Sequence, residues 1–521
     1  MCTKLAKGSI QTYLSFSWST LNMASPNVSA LFFDYISLQS FLIFGVSFLI
    51  IYHLFTREKP VKLPPGPPCL PLIGNVHRLG GKQMHVVTAN MSNEFGSIIN
   101  IDLAGTNAVL LTDLHIMREA FLDKTDRFSD RFSHPLGEYI LLSIKGSLTF
   151  ENGNGWKSHR RTTLRALRNF GMGKRSLENK INEEARCLAR SFDQENGRPF
   201  NPEPNVQNAV ANVICSISLG SRYDYDDPEF RRLLDYIKVF MSKLSGPSLL
   251  AVFPRLWFTP LYKSLKKQTV ECISFLRGVV EQHKVTFDSN DIRDIIDVHL
   301  QDHDKKGGTD EKLPQHLIWR GIFDLFAAGT DTTSNTILWA ILLLTQYPHV
   351  QEKVQEEIDD VIGRERPPTL PDRLLLPYVD ATLMEIQRFR PVGCFVPPRA
   401  ASVDTELSGY TIRKGTQVWV NLYAVLHSPK HWKDPEEFIP ERFISADGKK
   451  TETPEAFIPF GLGRRICIGE QLARMELFLF MTNLLQRFTF EIPKGDPKPN
   501  LAGEHGITLS PGRFRICAVN R

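Results

Sequence analysis

Three glycines, two arginines and one cysteine fall together in Phe460-Gly461-Leu462-Gly463-Arg464-Arg465-Ile466-Cys467-Ile468-Gly469, directly before an apolar helical pattern. Glycine permits left-handed backbone and close approach of other groups. A cysteine at a helix N-terminus beside arginines is expected to have a lowered pKa. The loop therefore offers a thiolate to a metal or to an electrophile. The competing reading is a buried structural cysteine, the commonest fate of an unpaired thiol. A second cluster, Ala327-Ala328-Gly329-Thr330-Asp331-Thr332-Thr333, sets an acid and hydroxyls among small residues. These are poor choices for a buried helix interior, so they imply a local widening or a site where something packs against the backbone. Glu385 and Arg388 stand at i, i+3, and Trp156 and Arg160 at i, i+4. Either spacing puts both side chains on one helical face. The Glu-Arg pair says little alone, since surface ion pairs are abundant.

Long helices must hold these clusters in place. Helix-length periodic segments recur at 156–170, 178–194, 206–220, 227–245, 262–287, 315–347, 349–362, 377–390 and 468–487. Short strands are expected at 97–102, 107–112, 408–412, 416–420, 488–492 and 513–518. The chain thus reads as mainly α with a small β-rich subdomain. The longest segment runs from Gln315 to Tyr347, between Pro314 and Pro348. It would span roughly 50 Å, the width of a whole domain. The Ala327–Thr333 patch stands in its middle.

Composition narrows the classes. The chain has 521 residues, with 62 Lys+Arg against 57 Asp+Glu and a net charge of +5. So mild a balance argues against nucleic acid as a partner. A content of 42% hydrophobic and 23% charged residues is that of an ordinary globular protein, which excludes a disordered or multispanning chain. The eight cysteines include no CxxC pair, so a disulfide framework or cysteine-rich zinc site is not expected, and a reducing compartment is. Tyr35 to Phe55 contains no Asp, Glu, Lys or Arg, and about 20 such residues cross a bilayer as a helix. Arg57, Lys59 and Lys62 follow at once, which places the long C-terminal part in the cytosol. The expected layout is a short lumenal tail at 1–34 and a transmembrane signal anchor at 35–55. A Pro-rich hinge follows at 56–70, then one catalytic body at 71–521.

The cysteine loop resembles the haem-binding loop of the cytochrome P450 family, F-x-x-G-x-R-x-C-x-G, at Phe460, Gly463, Arg465, Cys467 and Gly469. The resemblance covers about residues 35–521 and is closest to the animal microsomal group called family 2. Leu164–Gly173 and Asn212–Cys215 look typical of that group. It implies the cytochrome P450 fold and haem b as cofactor, with Cys467 as the axial ligand of the iron. Thiolate electron donation favours O–O cleavage. Phe460 would pack beside the sulfur, and Arg465 would pair with a haem propionate. Trp156 and Arg160 would hold a propionate, with Arg131 and Arg399 as further contacts; many group members carry His where Arg399 stands. Ala328-Gly329-Thr330-Asp331-Thr332 resembles the oxygen-activation motif, in which Thr332 hydrogen-bonds dioxygen or its water and Asp331 relays protons. Glu385, Arg388 and Arg442 of Pro440-Glu441-Arg442-Phe443 would form a structural cluster near the cysteine loop.

The function so implied is haem-thiolate monooxygenation of a lipophilic organic substrate: a fatty acid, steroid or foreign compound. O2 is the oxidant, and electrons come from NADPH through NADPH-cytochrome P450 reductase, with cytochrome b5 as a further partner. The location is the endoplasmic reticulum membrane, single-pass, with the catalytic domain in the cytosol. Arg160, Arg161, Arg165, Arg168, Lys174 and Arg175 form a basic run without an intervening acid. It is either a solvated helix face or a docking patch for an acidic electron donor. Pocket walls would come from segments that include Phe132, Leu136, Phe240, Leu249, Phe253, Val396 and Ile507. Two alternatives remain: a P450-type peroxide rearrangement, and a non-catalytic membrane haem binder. The acid–threonine pair argues against the first, and Cys467, Thr332 and Asp331 together argue against the second.

Overall fold

The computed structural model describes residues 40, 43–48, 51, 62–79, 81, 83–132, 144–170, 175–243, 253–305 and 313–521. The chain divides into two units, Met1–Lys59 and Pro60–Arg521. In the first, the few described residues are helical. The expected tail and most of the expected anchor lie outside the described residues, as do Lys174, Leu136 and Leu249. Among the described residues no helix is long and apolar enough to cross a membrane.

The second unit is mainly helical. Its longer helices are α1 (Met84–Phe95), α2 (Gly153–Asn169), α3 (Arg175–Asp193), α4 (Glu203–Ser218), α5 (Pro228–Lys243), α6 (Lys263–Thr286) and α7 (Ile295–Lys305). They continue with α8 (Ile318–Gln346), α9 (Pro348–Val361), α10 (Pro377–Phe389) and α11 (Glu470–Arg487). The strands are β1 (Ile98–Leu103), β2 (Thr106–Leu111), β3 (Asp130–Arg131), β4 (Arg399–Ala400), β5 (Gln417–Val420), β6 (Phe488–Glu491), β7 (Glu504–His505), β8 (Leu509–Ser510) and β9 (Cys517–Asn520).

The periodic segments fix α2 to α6 and α8 to α11 to within a few residues. α1 and α7 were not among them; α1 is built from Thr, Asn and Ser as much as from apolar residues, which blurs its pattern. The expected strand at 513–518 is instead Cys517–Asn520, paired antiparallel with β6. The strand expected from 408 starts at Tyr410, because Ser408 and Gly409 have φ of 48° and 79° and form the turn of a hairpin with Thr405–Leu407.

α8 forms the axis of the body. Buried side chains run along it from Ile318 to Leu344, and its 29 residues rise about 44 Å. It is unbroken through the small-residue patch, so the expected widening is absent. The other half of that expectation holds: α4 packs onto the helix backbone. A Cβ added to Gly329 would lie 2.6 Å from Ile214 Cδ1 of α4.

The main sheet has the order β1-β2-β5-β4-β3. β1 and β2 are antiparallel, β2 and β5 parallel, and β5-β4-β3 antiparallel. The register sets Arg131 of β3 directly opposite Arg399 of β4. Like charges facing each other across strands are destabilising, so the sheet delivers two guanidiniums to one place at a cost.

Candidate active site

The cysteine loop leaves the body through a short 3-10 turn, Gly463–Arg465. Gly463 has φ +74°, and any Cβ there would run into the carbonyl of Phe121. The Cys467 amide donates to Phe460 O at 3.1 Å, closing the loop just before α11. The sulfur has open space beside it, yet the surrounding protein desolvates it. Burial pushes the thiol up, against the pull of the Gly469 and Glu470 amides and of Arg160. This corrects the expected lowering. Arg464 instead pairs with Asp126, and Arg465 turns toward Ser129 O (3.0 Å), Glu151 O (2.7 Å) and Asn152 Oδ1 (3.0 Å). Arg160 donates to Ile466 O at 2.6 Å.

Four arginines and one tryptophan gather here. Arg465 lies 3.5 Å over the Trp156 ring, and Arg160 is 5.9 Å from it. Trp156 Nε1 donates to Leu148 O at 3.2 Å. Arg131 donates to Thr149 O and Pro397 O, and Arg399 to Leu462 O at 3.0 Å. Three guanidinium nitrogens are buried without an acceptor: Nε and Nη1 of Arg399, and Nη1 of Arg465. Among the described residues no carboxylate forms an ion pair with Arg131, Arg160, Arg399 or Arg465; only Asp130 and Glu151 act on Arg465 from a distance. Burial first, then the neighbouring arginines, lower Arg131 far below the usual range, Arg399 to about 10 and Arg465 to about 9. Clustered cations in the interior are stable only with a counter-charge. The cradle calls for an anionic group that the described residues do not provide.

On α8, Ala328 is exposed and Thr332 half-buried, although buried side chains flank them. The two are one turn apart and share a face. Thr332 Oγ1 donates to Ala328 O at 2.6 Å. Thr332 and Phe460 line one cleft, with Pro391, Val392 and Ala473. Asp331 points elsewhere: its Oδ2 accepts from Thr508 Oγ1 at 2.6 Å, and burial pushes its pKa up to about 6. Glu476 of α11 was not singled out from the sequence. It is 1% exposed, neither oxygen has a partner at full hydrogen-bond geometry, and burial, opposed by the nearby Thr333 hydroxyl, pushes it up to about 8. Its sequence signal was a single acid inside the apolar run Met475-Glu476-Leu477-Phe478-Leu479-Phe480.

Glu385, Arg388 and Arg442 meet as a compact cluster. Arg388 makes a bidentate pair with Glu385 at 2.7 and 2.9 Å, and Arg442 reaches Glu385 Oε1 at 3.2 Å. Glu385 Oε1 also accepts from the Ile439 amide at 2.8 Å. The remaining Arg388 donors go to the carbonyls of Leu426, Pro435 and Glu437. In the basic run, Arg165 is taken by Asp302 at 2.5 Å, while Arg161, Arg168 and Arg175 are exposed.

The family model for Cytochrome P450 matches residues 64–518. This chain belongs to the cytochrome P450 family. It is similar to cytochrome P450 2J2 of Homo sapiens, 38% identical over 494 residues that cover 92% of this chain and 96% of that protein. Cytochrome P450 2U1 of Rattus norvegicus is 37% identical over 506 residues, covering 92% and 95%. Cytochrome P450 2J5 of Mus musculus is 36% identical over 494 residues, covering 94% and 98%. The protein is thus a family-2-like P450, a monooxygenase-class oxidoreductase that binds haem b. The residues present fit that group. Haem b carries two propionate carboxylates, the counter-charge that the orphaned guanidinium nitrogens of Arg399 and Arg465 lack. A free sulfur and an opened face of α8 complete the fit.

Proposed function

We propose that this P450 is a haem-thiolate monooxygenase of the endoplasmic reticulum membrane, acting on a lipophilic organic substrate. NADPH-cytochrome P450 reductase supplies the electrons, with cytochrome b5 as a further donor. Residues 35–55 form its single-pass anchor, 56–70 the hinge, and the catalytic body beyond them faces the cytosol. The reading is carried by the arginine cradle beside a free cysteine.

Bound haem supplies the redox chemistry that places one atom of dioxygen in the substrate and the other in water. Cys467 would hold the iron through its sulfur, with Phe460 in the same loop. Trp156, Arg131, Arg160, Arg399 and Arg465 would hold the carboxylate tails of the group. Arg399 retains a full charge at neutral pH, since its pKa stays near 10. Thr332 presents a hydroxyl to the cleft and can exchange its bond to Ala328 O for one to dioxygen or water. Asp331, with a pKa of about 6, is ionised yet easily reprotonated near pH 7, as a relay group must be. The candidate pocket residues Phe240 and Val396 are apolar, and walls of that kind would exclude water and admit lipophilic molecules. Glu385, Arg388 and Arg442 brace the loop around Arg442 and take no part in the chemistry. The exposed Arg161, Arg168 and Arg175 suit an acidic electron donor.

Reconstitution tests this. The reduced carbon-monoxide complex should show the long-wavelength Soret band of thiolate ligation, and Cys467→Ala should abolish it. Substrate turnover should require NADPH, reductase and O2 together. A nitrogen-ligated spectrum, or conversion of hydroperoxides alone, overturns the proposal.

A further inference from the structure

Asp331 and Thr332 are adjacent on α8, so their side chains leave the helix about 100° apart. Thr332 faces the cleft with Phe460. Asp331 faces the turn between β7 and β8, near the C-terminus. There Thr508 Oγ1 donates to Asp331 Oδ2 at 2.6 Å, and Asn335 Nδ2 donates to Thr508 Oγ1 at 3.4 Å. All three side chains are buried, with Asp331 8% and Thr508 7% exposed. Each bond is directional: the amide feeds the hydroxyl, and the hydroxyl feeds the carboxylate.

The turn holding Thr508 is itself pinned. Ile507 N donates to Met241 O of α5 at 3.0 Å, and Gly506 N to Thr508 O at 2.8 Å. Leu509 N donates to Val392 O at 2.9 Å, and Trp339 Nε1 of α8 donates to Leu509 O at 2.9 Å. A Cβ on Gly506 would meet Met241 O at 3.0 Å, so the turn fits closely against α5. Ile507 is 37% exposed next to this peg, and Val392 lines the cleft shared with Thr332. The same turn thus bonds to a residue of the Thr332 cleft and to the acid.

We infer that Thr508 is a positioning residue: its hydroxyl holds the Asp331 carboxylate on the hairpin side of α8 and ties that group's orientation to a turn that is bonded to Val392 of the Thr332 cleft. The inference rests on the reading of Asp331 as the proton relay. Burial raises the Asp331 pKa, and a hydroxyl donor stabilises the ionised form and so opposes the rise. The other groups facing Asp331 are Asn335 of its own helix, Glu203 of α4 and Lys238 of α5. Glu203 and Lys238 pair with each other, and their opposite signs offset at Asp331. Thr508 is therefore the donor whose loss should be felt most.

The test uses purified holoenzyme in Thr508→Val, Thr508→Ser and Asp331→Asn forms, all first checked for a normal haem spectrum. The infrared carboxyl band that Asp331→Asn removes is followed against pH without turnover. Thr508→Val should raise its titration midpoint by about one unit or more, and Thr508→Ser should keep it within a few tenths. The pH profile of NADPH coupled to product should move in the same direction. An unmoved midpoint in Thr508→Val overturns the inference, as does a Thr508→Ser enzyme that titrates like Thr508→Val. Thr508→Ala replaces the valine variant if that one fails to fold. If Asp331→Asn leaves coupling intact while the midpoint still responds to Thr508, the relay reading fails and the tie stands.

Discussion

Among the described residues, two buried groups of arginines differ in one respect. Around Glu385, Arg388 and Arg442, the donors of Arg388 and the carboxylate of Glu385 have partners at 2.7–3.2 Å. Around Trp156, the guanidiniums of Arg131, Arg160, Arg399 and Arg465 reach main-chain carbonyls but no carboxylate, and three of their nitrogens reach nothing. A satisfied buried ion pair is part of the architecture. An unsatisfied group of cations is a receptor for a partner that the described residues do not supply. Both groups come from the same residue type at similar depth, so burial alone does not separate brace from binding site; completeness of hydrogen bonding does.

That contrast can be broken by experiment. The largest expected effect is at the brace. Glu385→Gln leaves Arg388 buried without its counter-charge and should cost roughly 3–5 kcal/mol. Folded yield and melting temperature should collapse whether or not haem is supplied; survival with near-normal stability would mean that the cluster braces nothing.

The next effect concerns Glu476, an unsatisfied acid instead of an unsatisfied base. With a folded pKa near 8 against an ordinary value of 4.5, the native state holds a proton that the unfolded chain releases between those values. Stability should therefore fall as pH rises through that window, by up to roughly 1.4 kcal/mol per unit, and level off above it. Denaturant midpoints should show Glu476→Gln with a flatter profile, similar to wild type at pH 5 and more stable at pH 8. Parallel profiles would remove Glu476 from the set of unsatisfied groups.

The smallest effect sharpens the comparison most. Arg399→Leu removes two orphaned nitrogens and one bond to Leu462 O. The apoprotein should be unchanged or stabilised by about 1 kcal/mol, while haem transfer to apomyoglobin should speed up tenfold or more. Equal losses in apoprotein and holoprotein would make the cradle a second brace.

How much of this was legible beforehand depends on distance along the chain. The cysteine loop, the acid–threonine pair and the Glu-Arg pair each lie within ten residues or one helical turn, so short motifs marked them and the family resemblance gave them roles. Long amphipathic helices were legible for the same reason, whereas α1, with its polar residues, was not. The expected low pKa of Cys467 failed first because burial desolvates the thiol, and adjacency in sequence did not aim the neighbouring charges: Arg464 and Arg465 turn toward Asp126, Ser129 and Glu151. Glu476 left a faint trace as one acid in an apolar run, and Thr508 left none.

Sequence by itself determined the family, the mainly helical build and the identity of the sulfur ligand candidate, because local periodicity and short motifs carry that information. Tertiary structure alone decided which cations stand together and which acid is buried without a counter-charge. Arg131 meets Arg399 only through strand register, and Asp331 meets Thr508 across 177 positions of chain. Charge and hydrogen bonding act through space, and only the fold sets those distances.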